Sequence, residues 1–439
     1  MVATACVLGA ALGIVAGVNV AGTPPSFASA GLIGDGSSFA GPEILSWAQA
    51  VAGPPYDLTV NYAPDSSGQG RFDFGSRTVD FAVTDIAYQS VAFDTAQPTF
   101  AFDYVPVTAA GVGFMYHLNG LASGTTLQLS SYSICSIFTG GVTNWDSPVI
   151  QADNPGVALP DTPLKPVIRT DLAGTNYVLQ QYCIDEQPAL WAAFVDAPST
   201  EQYPDQVGDL STTQPRSDWP LFSGAIFQSG SANAADTVAN PNDNGYITAI
   251  EPAYAQQRQT PVASVKNASG HYVQPTPGNV ESGLLHDTEG ANGVEDLDFN
   301  GRGPNVYNPS TYSYMLVPTT GSDPGKGATL SAFLDYALTI GQEEAPTIGY
   351  ASLSPWLERF GLHEVRRDVP GAVPPTTAEL GALRCIQFTL RDVRRGTGTP
   401  SCAAPPAATP EAPVVLALPA GAAVVMALVY RSRRRLLRR

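Results

Sequence analysis

The sequence predicts an α/β protein, and three observations carry that reading. Short runs of strand character, such as Leu58/Val60/Tyr62 and Val79/Phe81/Val83, alternate along the chain with helical patterns, the order that builds layered α/β sheets. Helical periodicity is plain in Ile44, Trp47, Ala48 and Val51, which recur at i, i+3, i+4 and i+7. Four polar loops follow strands or open helices, the places where α/β proteins hold ligands.

The elements follow in order. Gly34–Pro42, "GDGSSFAGP", directly precedes the first helix, so its glycines and serines are expected at a helix N-terminus, where backbone N–H groups have no partner. "APDSSGQGR" breaks the strand through Tyr62, and the next strand ends at Thr84-Asp85. Tyr104–Val107 and Val112–His117 read as strands, Leu127–Phe138 as a helix, and Val167–Arg169 as a short strand. The loop "TDLAGT" then leads to a helix over Tyr177–Cys183. Gly245–Ile250 and Tyr312–Val317 are later strands, and Ala328–Leu338 is a helix. No internal repeat is present.

Bulk composition narrows the function classes. The chain has 439 residues, 44% hydrophobic and 14% charged, enough for a large core in two lobes. Six of the 22 basic residues are arginines of the last nine positions, which leaves 16 bases against 39 acids, a balance of −23 for the rest. Nucleic acid and anionic membrane surfaces are poor partners for such a field, so an anion must be captured by a local site. Residues 1–30 read as a signal peptide ending at Ala28-Ser29-Ala30. Residues 396–412 form a Pro/Ala-rich stalk and Pro413–Tyr430 an apolar span, followed by a basic tail over 431–439. The positive-inside rule puts that tail in the cytoplasm and the body on the outer face of the cell membrane, held by a single C-terminal anchor.

Four cysteines lie in the body: Cys135, Cys183, Cys385 and Cys402. An even count in an exported chain points to two disulfides with three connectivities, of which Cys135–Cys183 with Cys385–Cys402 is favoured. No CxxC spacing occurs and the four histidines are scattered, which argues against a zinc site. Asp296, Asp298 and Asn300 open a calcium-like loop, but its twelfth position is Tyr307, so a solvated turn is the better reading.

Seven segments in order, "GDGSSFAGPEILSWAQ", "VNYAPDSSGQG", "TVDFAVTD", "SICSIFTGGVTNWDSP", "VIRTDLAGTNYVLQQY", "NGYITAIEPAYA" and "SAFLDYALTIGQ", resemble the motifs of the phosphate-binding proteins of phosphate ABC transporters over residues 33–357. The resemblance implies a two-lobed type II periplasmic-binding-protein fold. Lobe 1 would take residues 31–117 and 246–395, lobe 2 residues 118–245, with crossover strands near 112–117 and 245–250 as the hinge. It implies phosphate in the cleft, held by Ser38, Phe39, Ser67, Asp85, Arg169, Gly174 and Thr175, with Asp171 pairing Arg169. It also implies an ABC permease as partner, no cofactor or metal, and no enzymatic activity. Ala173 stands where the family usually has serine, and Asp35 and Asp65 are additional carboxylates in anion-binding loops.

The residue chemistry agrees with an oxyanion. Backbone N–H groups at helix N-termini and the hydroxyls of Ser38, Ser67 and Thr175 donate, and Arg169 adds a forked donor with positive charge. Asp85 only accepts when ionised, so it suits a ligand that carries a proton. Another oxyanion such as sulfate, or a surface interaction protein that kept the fold, are the rival readings. A phosphatase ranks last, because no histidine or metal cluster accompanies the serines.

Overall fold

The computed structural model describes residues 30–89, 97–201, 210–290 and 293–372. The expected signal peptide through residue 29, the stalk, the apolar span, the basic tail, Cys385 and Cys402 lie outside the described residues. Among the described residues, no helix is long and apolar enough to cross a membrane.

Two sheets organise the body. The strands are β1 (Leu32–Gly36), β2 (Val60–Pro64), β3 (Phe81–Thr84), β4 (Phe102–Gly111), β5 (Gly113–His117), β6 (Lys165–Arg169), β7 (Ile226–Gln228), β8 (Tyr246–Ile250) and β9 (Ser310–Pro318). The first sheet runs β2-β1-β3-β9-β4, and the second β5-β8-β6-β7. In the first, β1, β2 and β3 are parallel and β9 lies antiparallel between β3 and β4. Every residue of β9 is buried, the burial that a central strand requires. In the second, β6, β7 and β8 are parallel and β5 is antiparallel to β8. The chain leaves the first sheet after Gly111, and β5 opens the second at Gly113.

Helices cover the sheets. Those that matter for the site are α1 (Gly41–Val51), α2 (Ser67–Gly75), α3 (Ser131–Phe138), α4 (Gly174–Glu186) and α5 (Ser231–Ala239). In α1, Ile44, Trp47, Ala48 and Val51 are all buried, as the periodicity requires. Much of α3 and α4 is likewise apolar and buried, and Cys135 on α3 is bonded to Cys183 on α4. The favoured pairing of these two cysteines is therefore present.

Three local expectations differ from the structure. Gly34 and Gly36 lie in β1 rather than at the helix start. Glycine is needed there for close approach: a Cβ on Gly34 would overlap the Phe81 ring, and one on Gly36, at φ +135°, would overlap the Val83 carbonyl. The segment expected as a helix from Leu127 opens as a short strand, Gln128–Leu129, paired in parallel with Ser264–Val265. Ser130 then caps α3 by accepting from the Ser133 N–H. The loop "DSSGQGR" holds the start of α2, whose Ser66 cap accepts from the Gln69 N–H. Two glycines hide that helix from pattern reading, yet Gly70 is required, because a Cβ would meet the backbone of Gly36.

The disulfide spans a sequence separation of 48 residues, and bridges closing loops of this order stabilise by about 2–4 kcal/mol. We expect the Cys135→Ala/Cys183→Ala double variant to lose about that much in urea unfolding. An unchanged midpoint and slope would show that the bridge contributes nothing.

Candidate functional site

Six parallel strands end at one place, and each delivers a polar residue there. After β1 come Ser37 and Ser38, after β2 Ser66 and Ser67, and after β3 Asp85. From the second sheet, β6 ends in Arg169 and leads to Asp171, β7 leads to Ser231, and β8 leads to Glu251. Four helices open immediately beyond these ends, so their unpaired N–H groups and positive dipole ends are gathered in the same region. The arrangement is that of a ligand crevice at the carboxyl ends of open α/β sheets.

Asp85 lies at the centre and is 7% exposed. Ser37 Oγ donates to its carboxylate, 2.8 Å from each oxygen; Ser67 Oγ lies 3.0 Å from Oδ2, and Ser313 Oγ 2.5 Å from Oδ1. Burial pushes this carboxyl above its usual pKa, while the three serine hydroxyls and Arg169 oppose the rise. Gly174 packs against Asp85 so closely that a Cβ would overlap the carboxylate. The two sheets also meet through backbone, with the Gly68 N–H donating to the Leu172 carbonyl at 2.9 Å.

Arg169 is 4% exposed and forms a fork with Asp171, Nε to Oδ1 at 2.7 Å and a second bond from Nη2 to Oδ2. Burial would pull the guanidinium pKa down, and the adjacent Asp171 carboxylate more than reverses that. Asp171 also accepts from the Gly230 N–H at 2.9 Å, so one carboxylate orients both the arginine and the start of α5. Arg169 Nη1 donates to Ser231 Oγ at 2.7 Å, and that oxygen lies 3.0 Å from Ser38 Oγ of the first sheet. Thr175 Oγ1, on a residue only 3% exposed, has no partner, a donor held ready in the first turn of α4.

Of the residues singled out from sequence, Ser67 and Asp85 share one hydrogen-bonded cluster, and Arg169, Asp171 and, through Ser231, Ser38 share a second, with Gly174 against Asp85. Thr175 follows Gly174 at the start of α4. Phe39 is buried, and its carbonyl accepts from the Tyr350 hydroxyl. Ala173 occupies the α4 N-cap and supplies no side-chain cap. Sequence reading missed Ser37, Ser231, Glu251 and Ser313. Glu251 lies inside a recognised segment and Ser37 inside the first loop; Ser313 is a hydroxyl within the expected apolar strand Tyr312–Val317, a signal that was available.

Other candidates separate from this site. Asp103, Glu364 and Asp368 bring carboxylate oxygens within 4.8 Å of one another, and Arg367 bonds to the last two. In the calcium-like loop, Tyr307 is wholly buried and donates to the Val112 carbonyl, which makes it a core residue.

The model of the PBP (periplasmic-binding-protein) superfamily domain matches residues 21–339. The chain belongs to the PBP superfamily. Among curated members, the phosphate-binding protein PstS of Xylella fastidiosa is 26% identical over 337 residues, covering 76% of this chain and 85% of that protein. Phosphate-binding protein PstS 3 of Mycobacterium leprae is 25% identical over 307 residues, 67% of this chain and 75% of its own length. A solved phosphate-binding protein from Stenotrophomonas maltophilia superposes with a TM-score of 0.55 at 16% identity, covering 76% of this chain and 93% of that one. This likeness supports the two-lobed α/β fold of the superfamily.

The additional carboxylate Asp35 lies at the edge of the site, half-buried, with Oδ1 unpartnered. Desolvation, then the charges of Asp65 and Asp73, push its pKa up to about 6 from 3.8. A carboxyl whose folded pKa is raised binds its proton more tightly when folded, so stability falls as pH rises between 3.8 and about 6. Asp35→Asn should therefore raise the urea midpoint at pH 7 and leave it nearly unchanged at pH 4. Equal midpoints for both proteins at pH 7 would contradict the assignment.

Proposed function

We propose that this chain is an extracytoplasmic substrate-binding protein that captures inorganic phosphate between its two lobes and delivers it to an ABC permease. The observation that carries the reading is the buried acceptor Asp85, bonded by serine hydroxyls of the first sheet and within electrostatic reach of Arg169 from the second. The names of the curated PBP relatives support phosphate in particular. Lobe 1 then carries the first sheet, β1–β4 with β9, and lobe 2 the second, β5–β8, so the expected bounds at 117/118 and 245/246 shift to leave β5 and β8 with lobe 2.

The residues divide the work by charge. Arg169, aligned by Asp171, supplies positive charge and a forked donor. Ser38, Ser67 and Thr175 add hydroxyls, and the backbone N–H groups of Phe39, Gly174 and Thr175 add donors without side-chain entropy. Asp85 reads the proton: phosphate near neutral pH retains one, with a second pKa of about 6 as in its esters, and can donate it to the carboxylate. A fully ionised oxyanion meets an acceptor instead, and in a dry cleft that mismatch is costly. No covalent step is involved. The apolar span at Pro413–Tyr430, followed by six arginines, supports attachment of the body to the outer face of the cell membrane.

Titration calorimetry on the purified full chain tests this reading. We expect phosphate to bind and sulfate to be rejected, Asp85→Asn to narrow that gap, and Arg169→Ala to weaken phosphate at least tenfold, as loss of charge-assisted bonds of about 1.5–3 kcal/mol each demands. Comparable affinities for the two anions in the unmodified protein would overturn it. For the anchor, protease added to intact cells should release the body and leave the tail protected; a chain truncated before Pro413 that still fractionates with membrane in the absence of the permease would refute that part.

A further inference from the structure

The three helices that receive the expected phosphate ligands open at Gly41, Ser67 and Gly174. A fourth, α5, opens at Ser231 in the same place, and its first residue holds an unusual position. Ser231 is 1% exposed. Its hydroxyl oxygen is the meeting point of two groups from opposite sheets: Arg169 Nη1 at 2.7 Å and Ser38 Oγ at 3.0 Å. Its backbone N–H also points at Ser38 Oγ, 3.3 Å away. Arg169 and Ser38 are two donors that the proposed function assigns to the anion, and the Ser231 hydroxyl touches both.

The surroundings show that this is polar ground prepared for more than one serine. Glu251 is wholly buried; Oε2 lies 3.5 Å from Ser231 Oγ, and Oε1 has no partner. A buried oxygen without a partner is rare in a settled core and marks a place where a polar group is accepted. Burial pushes the Glu251 carboxyl well above its usual range, with backbone bonding and Arg169 opposing. Gly230, at φ +79°, turns the chain so that Ser231 faces inward, and Asp171 fixes that turn by accepting from the Gly230 N–H. The carboxylate that aims Arg169 therefore aims Ser231 as well.

Resting on the phosphate reading above, we propose that Ser231 is a further ligand of the anion, donating through its hydroxyl, and that Glu251 positions that hydroxyl. The oxygen now accepts from Arg169, and its own proton can turn to an anion oxygen that shares the same donors. This hydroxyl adds a donor in a site where Ala173, at the opening of α4, offers none.

The test is calorimetric titration of inorganic phosphate into the full chain and its Ser231→Ala variant, together with unfolding midpoints with and without phosphate. Loss of one bond to a charged group should weaken affinity about tenfold or more. The increment in midpoint that phosphate confers should shrink accordingly. Ser231→Thr, which keeps the hydroxyl, should stay within about threefold of the unmodified protein. Affinity unchanged in Ser231→Ala while the unmodified protein binds would overturn this inference and leave the phosphate reading intact. A midpoint lowered without phosphate but an undiminished phosphate increment would also overturn it, because that is a structural serine. Should Ser231→Ala fail to fold, Ser231→Gly, which a helix start tolerates, carries the same expectations. An unmodified chain that binds no phosphate removes both readings together.

Discussion

Burying the Asp85 carboxylate is the demand around which the rest of the cleft is arranged. A carboxylate removed from water needs its lone pairs filled, and the fill comes from three different parts of the chain. Ser37 arrives after β1, Ser67 at the start of α2, and Ser313 from the middle of β9. Satisfying one side chain thus fixes the relative positions of two strand ends and a helix start, and it puts a hydroxyl in a wholly buried central strand of the sheet. The same demand explains Gly174, since any Cβ there would collide with the carboxylate that the other elements hold in place.

Across the cleft, Asp171 plays the matching part for positive charge. By bonding Arg169 twice and the Gly230 N–H once, it couples the loops after β6 and β7 into one unit. The guanidinium keeps its charge although burial opposes it, and it keeps one nitrogen directed at Ser231. The disulfide between α3 and α4 holds the support of this half of the site, since α4 begins next to Arg169 and Asp171. A rigid second lobe with a prealigned arginine needs little reorganisation when it meets an anion, and preorganised groups lose less entropy on binding.

How much of this could be read beforehand depended on whether a local pattern matched a local cause. The α1 helix was legible because its buried face repeats with the helical period. The strand ends at Asp85 and Arg169 were legible because apolar runs stop abruptly at charged residues. Strand β1 was misread, because the glycines at positions 34 and 36 mimic a turn. Their real cause is the proximity of Phe81 and Val83, neighbours in space some fifty residues away. Helix α2 was hidden in the same way by Gly70. Ser231 carried no local signal, and Glu251, though inside a recognised segment, none that pointed to the site: their role comes from β7 and β8 lying beside β6, which is a fact of sheet order. Ser38, Ser67, Asp85 and Arg169, by contrast, lie together in the structure as their motifs implied.

The clasp between the lobes is made in good part by groups that have no side chain to vary. Gly68 offers its N–H to the Leu172 carbonyl, and Gly174 lies bare against Asp85. The first contact is main chain to main chain and indifferent to the neighbouring side chains, and the second asks only that Gly174 and Asp85 remain. Mutational drift can therefore rework the cleft rim, its charge and its outer faces while the lobes still meet in the same register. A lineage carrying this protein can retune the surface it shows to its surroundings without dismantling the grip itself.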